Sequence, residues 1–160
     1  MSDSATYQVH VGAAGWEESK LPGFYPDDLP PEWRLTYYNN FFSCVYLTYA
    51  EWSGQQDATI QQWLNDVLPR FRFVLQLPAA GPSVADIEKL QGLGEQVGLL
   101  VAGNKAPQGL IWLEDFAGPQ EAVQQAKKLV ERGEQVFIVS RANNFALLEN
   151  VSSLLEVERL

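Results

Sequence analysis

Short apolar runs alternate along the chain with stretches in which apolar residues recur every three to four positions, the patterns of strands and amphipathic helices. Tyr7–Gly12 (YQVHVG) reads as a first strand. A helix is predicted from near Pro30, because proline suits a first turn. Trp33, Tyr37 and Phe41 would form its apolar stripe, widened by Tyr38 and Phe42. Cys44–Tyr49 (CVYLTY) is rich in β-branched and aromatic residues and predicts a second strand. Asp57 is the expected N-cap of a second helix. Its Ile60, Trp63, Leu64, Val67 and Leu68 keep the 3.6 period until Pro69 stops it. Phe71–Leu77 (FRFVLQL) predicts a third strand, ended by Pro78.

Ser83 and Asp86 have the spacing of a capping box, opening a third helix through Val84, Ile87 and Leu90. Gly92 and Gly94 weaken its end. Gly98–Ala102 (GLLVA) and Leu110–Leu113 (LIWL) flank the turn-rich GNKAPQG, as either a hairpin or two successive sheet strands. Pro119–Arg132 predicts a helix closed by Gly133. Gln135–Ser140 (QVFIVS) predicts a last strand, and Asn144 caps a final helix through Leu147, Leu148, Val151 and Leu155. The order βαβαβα-ββ-αβα implies an α/β fold, with helices covering about six mainly parallel strands. A chain of 160 residues with no long linker is expected to form one domain, residues 1–160.

Composition narrows the function. The hydrophobic fraction of 46%, with five Trp, six Tyr and eight Phe, is enough to fill a core. A net charge of −9, with no basic run longer than Lys127-Lys128, argues against nucleic acid. One cysteine, Cys44, leaves no internal disulfide, and one histidine, His10, leaves no His-rich metal site. No metal or cofactor is expected. No apolar run approaches the roughly 20 residues that cross a bilayer, and the N-terminal residues lack the pattern of a signal peptide. The expectation is a cytoplasmic protein without a membrane partner.

The segment from Val11 to Tyr38 carries a more specific signal. Val11, Gly12, Gly15 and Trp16 are followed by Phe24-Tyr25-Pro26, by Leu29-Pro30, and by Tyr37, Tyr38, Phe42 and Val45. Trp63 and Phe71-Arg72-Phe73 continue the series. In this order the residues resemble the YecE-like family, catalogued as domain of unknown function 72, over roughly residues 8–78. A weaker echo at the C-terminus pairs Asn144 with Asn150 in NNFALLEN. The resemblance implies a TIM-barrel-like fold, which typically takes over ~200 residues. This chain is therefore expected to be shortened: an open or incomplete barrel, or one completed by a second copy as a homodimer.

The resemblance also bears on chemistry. Where the family pattern places a Glu and an Asn on the second strand, this chain has Tyr46 and Thr48, and the family's third-strand Lys falls on Gln76. The family's C-terminal N-N-D turn aligns with Ser140, Arg141 and Ala142. Each charged position that aligns to the implied pocket has changed. Tyr46, Thr48 and Gln76 either satisfy one another inside the sheet or line a neutral ligand pocket. The turn Gly12-Ala13-Ala14-Gly15 either packs beneath Trp16 or presents N–H groups to a ligand.

Glu51 lies just beyond the second strand, and Glu114-Asp115 just beyond LIWL, at the edge where α/β sites gather. They are either solvated and capping carboxylates or an acid/base pair. Arg141 with Asn143 and Asn144 either turns and caps the chain or grips an anion. His10 and Cys44 read as structural. Two functions stay in view. One is a non-catalytic protein that binds a small neutral or anionic ligand, or a protein partner, through Gly12, Gly15, Trp16, Tyr46, Thr48, Gln76, Glu51, Glu114, Arg141 and Asn144. The other is a TIM-barrel-type enzyme with a site rebuilt from Glu51, Glu114, Asp115 and Arg141.

Overall fold

The computed structural model describes residues 8–103, 106–158 and 160. It contains six strands: β1 (Val9–Ala14), β2 (Cys44–Leu47), β3 (Arg72–Leu77), β4 (Val97–Ala102), β5 (Leu110–Trp112) and β6 (Val136–Ser140). Six α-helices accompany them: α1 (Arg34–Asn39), α2 (Tyr49–Ser53), α3 (Asp57–Asp66), α4 (Val84–Leu93), α5 (Pro119–Glu131) and α6 (Phe145–Glu158). The expected Tyr7 lies outside the described residues. Every strand pair is parallel, in the order β4-β3-β2-β1-β6-β5. Read as a cycle, this is the order of a barrel opened between β4 and β5. The six strands curl into a half-barrel flanked by helices. The hairpin alternative for β4 and β5 is thereby corrected, because they stand at opposite ends of the sheet.

Strand alternation divides the apolar residues between two faces. Val9, Val11, Val45, Leu47, Phe73, Leu75 and Ile138 face the helices and join one core. Cys44, Tyr46, Val74, Val101, Leu110, Trp112, Phe137 and Val139 form a second cluster on the concave side. The half-barrel is filled across its width: a Cβ placed on Gly98 of β4 would lie 2.6 Å from the Phe137 ring of β6. Phe137 also stacks on buried His10, ring centroids 5.0 Å apart. Only a residue without a side chain fits at 98.

Local signals set several boundaries. Ser83 Oγ accepts from Asp86 N–H while the Asp86 carboxylate accepts from Ser83 N–H, the expected capping box. At the end of α5, Gly133 (φ 84°) and Glu134 donate to the carbonyls of Val130 and Leu129, a Schellman close. Three expectations need correction. Gln56, not Asp57, is the N-cap of α3. The second strand stops at Leu47, because Thr48 and Glu51 form a capping box that starts α2. The stripe Trp33–Tyr37–Phe41 is not the packed face: Trp33 and Phe41 are 61% and 57% exposed, while Leu35 and Tyr38 are buried. The cause is a 3₁₀ turn over Pro31–Trp33, which shifts the phase before α1 begins.

Candidate functional site

The concave face at the C-terminal ends of the strands, where sites gather in α/β folds, is closed by packing. The Tyr46 ring meets the Trp112 ring edge-on at 4.9 Å, and the Arg141 guanidinium lies 4.4 Å from the Trp112 ring centroid. Arg141 Nη1 also donates to Asp115 at 3.1 Å. The Tyr46 hydroxyl is held above the usual tyrosine pKa by burial and then by the Glu51 charge, with Arg141 opposing. It is therefore neutral around pH 7 and unsuited to act as a base.

The other polar residues near this edge are occupied locally. Gln76 Oε1 accepts from Tyr49 N–H at 3.0 Å, and its Nε2 donates to the Gly103 carbonyl at 3.1 Å. Thr48 N–H and Oγ1 both donate to Glu51 Oε1, at 2.8 and 3.0 Å. Tyr46, Thr48 and Gln76 thus find separate partners instead of bonding to one another. Glu114 accepts from Ser140 Oγ and from the N–H groups of Arg141 and Ala142. Burial pushes the Glu114 carboxyl up, but those donors outweigh it and the pKa falls below the ordinary glutamate value. A carboxylate so held is a turn anchor and a poor proton donor near neutral pH. Asn144 Oδ1 accepts from Leu147 N–H, the helix cap that its position predicts.

The glycine turn divides. Gly12 packs: a Cβ there would fall 1.9 Å from the Cys44 carbonyl oxygen. Gly15 (φ 90°) donates to the Tyr46 carbonyl at 3.0 Å and opens onto a cleft. Asn143, itself at φ 55°, pins the turn: its Oδ1 accepts from Ala14 N–H at 2.7 Å and its Nδ2 donates to the Lys20 carbonyl at 2.8 Å. Asparagine tolerates that left-handed backbone, so the R-A-N-N sequence carried the signal.

The cleft is a cavity of about 190 Å³ lined by Gly15, Trp16, Glu17, Leu47, Glu51, Gln55 and Trp63. Trp16, Glu17, Gln55 and Trp63 also line a neighbouring cavity of about 410 Å³ that includes Glu32, Leu35 and Asp66. Trp16 and Trp63 meet edge to face at 5.0 Å and form a rigid wall between the two. Among the described residues, four carboxylates line these cavities and no lysine or arginine does. Arg34 reaches Glu17 from outside at 3.6 Å. One oxygen of Glu51 serves the α2 cap, and the other, Oε2, points toward Gly15.

Of the residues expected at a site, the structure brings Gly15, Trp16 and Glu51 together here, and Tyr46, Glu114 and Arg141 around the closed mouth. Gly12, Thr48, Gln76 and Asn144 take structural positions. Sequence reasoning missed Glu17 and Gln55. Glu17 follows Trp16 directly, and Gln55 stands in the bend just after α2, a helix that the strand reading of residues 44–49 concealed.

Comparison with known proteins follows the fold. The model of a family described as protein of unknown function DUF72 matches residues 10–97. Among solved structures, a DUF72 family protein from Thermotoga maritima is similar with a TM-score of 0.60 and 13% identity, over 94% of this chain and 100% of that chain. At that identity the likeness shows the fold. No match was found among curated proteins.

Proposed function

The chain belongs to the DUF72 family, and within that family we propose that it binds a small ligand in the Trp16–Trp63 cleft and performs no catalysis on it. The observation that supports this reading is the filled concave face, where Tyr46, Trp112 and Arg141 stack over an apolar interior. A rebuilt acidic enzyme would need a mobile proton at Glu51, Glu114 or Asp115. Glu114 is anchored by three donors, Glu51 holds the α2 cap with one oxygen and leaves the other for the cleft, and Asp115 pairs with Arg141 on the surface. The cleft offers what the mouth lacks, an unfilled volume beside rigid aromatic walls.

Its lining changes the ligand class from the neutral or anionic one that sequence suggests. Glu17 and Glu51 line the cleft while the nearest bases, Lys20 beside Gly15 and Arg34 on Glu17, stand outside its lining, and this favours a small organic cation, with the tryptophan edges and Leu47 supplying apolar contact. A single buried free thiol, Cys44, is compatible with the cytoplasmic location that we propose. Among the described residues no helix is long and apolar enough to cross a membrane.

Choline and its uncharged carbon isostere 3,3-dimethylbutanol separate charge from shape. Titrated into ¹⁵N-labelled protein, choline should shift the indole N–H signals of Trp16 and Trp63, and Glu51→Gln should weaken that response several-fold. The isostere should leave both signals in place. Equal shifts from both probes would overturn the cationic class. Shifts centred on Trp112, or none from either probe, would overturn the cleft as the site.

A further inference from the structure

Two hydrogen-bond donors in the cleft lack a partner. Trp16 and Trp63 are 8% and 9% exposed, so both rings are more than nine-tenths buried. A buried indole N–H usually finds an acceptor, as that of Trp52 does in the Gln76 carbonyl at 2.8 Å. Among the described residues neither the Trp16 nor the Trp63 indole N–H has one. Neither nitrogen is sealed in the core, and the open space beside both rings is the pair of cavities they line. The cleft therefore presents two donors as well as its carboxylates, and a donor calls for an acceptor that a cationic head does not carry.

A base stands at the same rim. A Cβ placed on Gly15 would lie 3.2 Å from Lys20 Cγ and 3.5 Å from Glu51 Oε2, so the lysine stem and the carboxylate oxygen flank one point of the turn. A side chain at position 15 would stand between them. The Lys20 backbone is fixed: its N–H donates to the Glu17 carbonyl at 2.9 Å, and its carbonyl accepts from Asn143 Nδ2 at 2.8 Å. Its exposed side chain is not. Among the described residues Lys20 enters no ion pair, and its ammonium lies three bonds beyond Cγ on a flexible stem.

We propose that the ligand of the Trp16–Trp63 cleft is a small zwitterion, an ammonium and a carboxylate joined by a short carbon chain. This rests on the cleft being the ligand site and adds a second charge to the ligand. The ammonium sits against Glu51 Oε2, which the helix cap leaves unused. The carboxylate takes the indole N–H groups and the Lys20 ammonium. A cation alone would leave those donors unanswered. An anion alone would face the four carboxylates that line the two cavities. The volume of about 190 Å³ beside Gly15 keeps the chain between the charges short.

Three probes titrated into the ¹⁵N-labelled full chain test this. Glycine betaine carries both charges, choline keeps only the cation, and 3,3-dimethylbutyrate keeps only the carboxylate. Betaine should move the Trp16 and Trp63 indole protons downfield and bind about fivefold more tightly than choline, with 3,3-dimethylbutyrate weakest. Lys20→Met should erase the advantage of betaine without weakening choline, and Lys20→Arg should retain it. The choline response of Lys20→Met also shows that the variant is folded, and the wild-type ranking of the probes decides if it is not. Betaine no tighter than choline, or a Lys20→Met loss shared equally by both, would overturn the zwitterion and leave the cleft a cation site. Binding of 3,3-dimethylbutyrate as tight as that of betaine would overturn the ammonium subsite, and the proposal with it. Silence of both indole signals with every probe would remove the cleft itself as the site.

Discussion

Tyr38 offers a sharp test of what joins the first two strands. Its hydroxyl is fully buried, accepts the Ala13 N–H at 2.7 Å and donates to the Cys44 carbonyl at 2.7 Å. On one side of it Ser43 N–H reaches the Val11 carbonyl, and on the other Gly15 N–H reaches the Tyr46 carbonyl. The hydroxyl therefore bridges β1 and β2 between those two direct bonds. Tyr38→Phe removes one atom and leaves a buried donor and a buried acceptor without that partner. At about 1–2 kcal/mol for each unpaired group the loss is about 3 kcal/mol.

Urea unfolding followed by the fluorescence of the five tryptophans reads this directly. With a slope of about 2 kcal/mol/M, the midpoint should fall by roughly 1.5 M with the slope unchanged. The melting temperature should fall by about 6–12 °C for a chain of this size. Tyr25→Phe is the internal comparison, because the Tyr25 hydroxyl makes one buried bond, to the Trp16 carbonyl. Its cost should be about half that of Tyr38→Phe. A loss below about 1 kcal/mol for Tyr38→Phe would refute the reasoning, since it would mean the strands close and pair directly once the hydroxyl is gone.

Two further outcomes follow from the filled interior and the anchored turn. Gly98→Ala places a Cβ 2.6 Å from the Phe137 ring and 2.9 Å from the Arg72 Cβ, and Phe137 is itself buried and stacked on His10; calorimetry should show a loss of about 2–3 kcal/mol. In a double-mutant cycle with Phe137→Leu the two changes should couple by about 1 kcal/mol or more, and strict additivity would contradict the contact. Glu114 has a folded pKa below its unfolded value, so its contribution is present above the ordinary glutamate range and is lost as pH falls through the folded value. Glu114→Gln should be less stable than wild type at pH 7, with the gap shrinking as pH falls below the ordinary glutamate range. A gap that stays constant with pH would contradict the anchoring role.

Much of the fold was legible because its signals are local. Six apolar runs became six strands, the Ser83–Asp86 box and the Gly133 close formed as read, and Asn144 caps the last helix. What failed were choices between two local patterns. Thr48-Tyr49 continues an apolar run as a strand would, but Glu51 three residues on turns Thr48 into a cap and starts α2. Trp33, Tyr37 and Phe41 keep helical spacing only if the helix is already regular at Trp33, and there it is still 3₁₀. The cleft was half legible for a related reason. Gly15, Trp16 and Glu51 stood out by type, whereas Glu17 and Gln55 matter only because the turn after β1 lies beside the bend that follows α2.

The closed mouth was legible in its chemistry but not in its cause. The family resemblance implies that a Glu and a Lys have become Tyr46 and Gln76, and an Asn Thr48, which leaves open a neutral pocket on the barrel axis. The structure supplies a geometric reason against one. A closed eight-stranded barrel is just wide enough for side chains to fill its centre. With six strands, β4 and β6 face each other closely enough that Phe137 needs Gly98 opposite it, and Tyr46 reaches Trp112 across the width. The interior is spent on packing before any polar group is placed. Restoring charge at Tyr46 and Gln76 would therefore set ionised groups against Trp112 and the helix-start bond from Tyr49 N–H, in a space with no room for the substrate they would serve. Strand number, set by the short passage from β4 to β5, explains both the closed mouth and the open edge at β4.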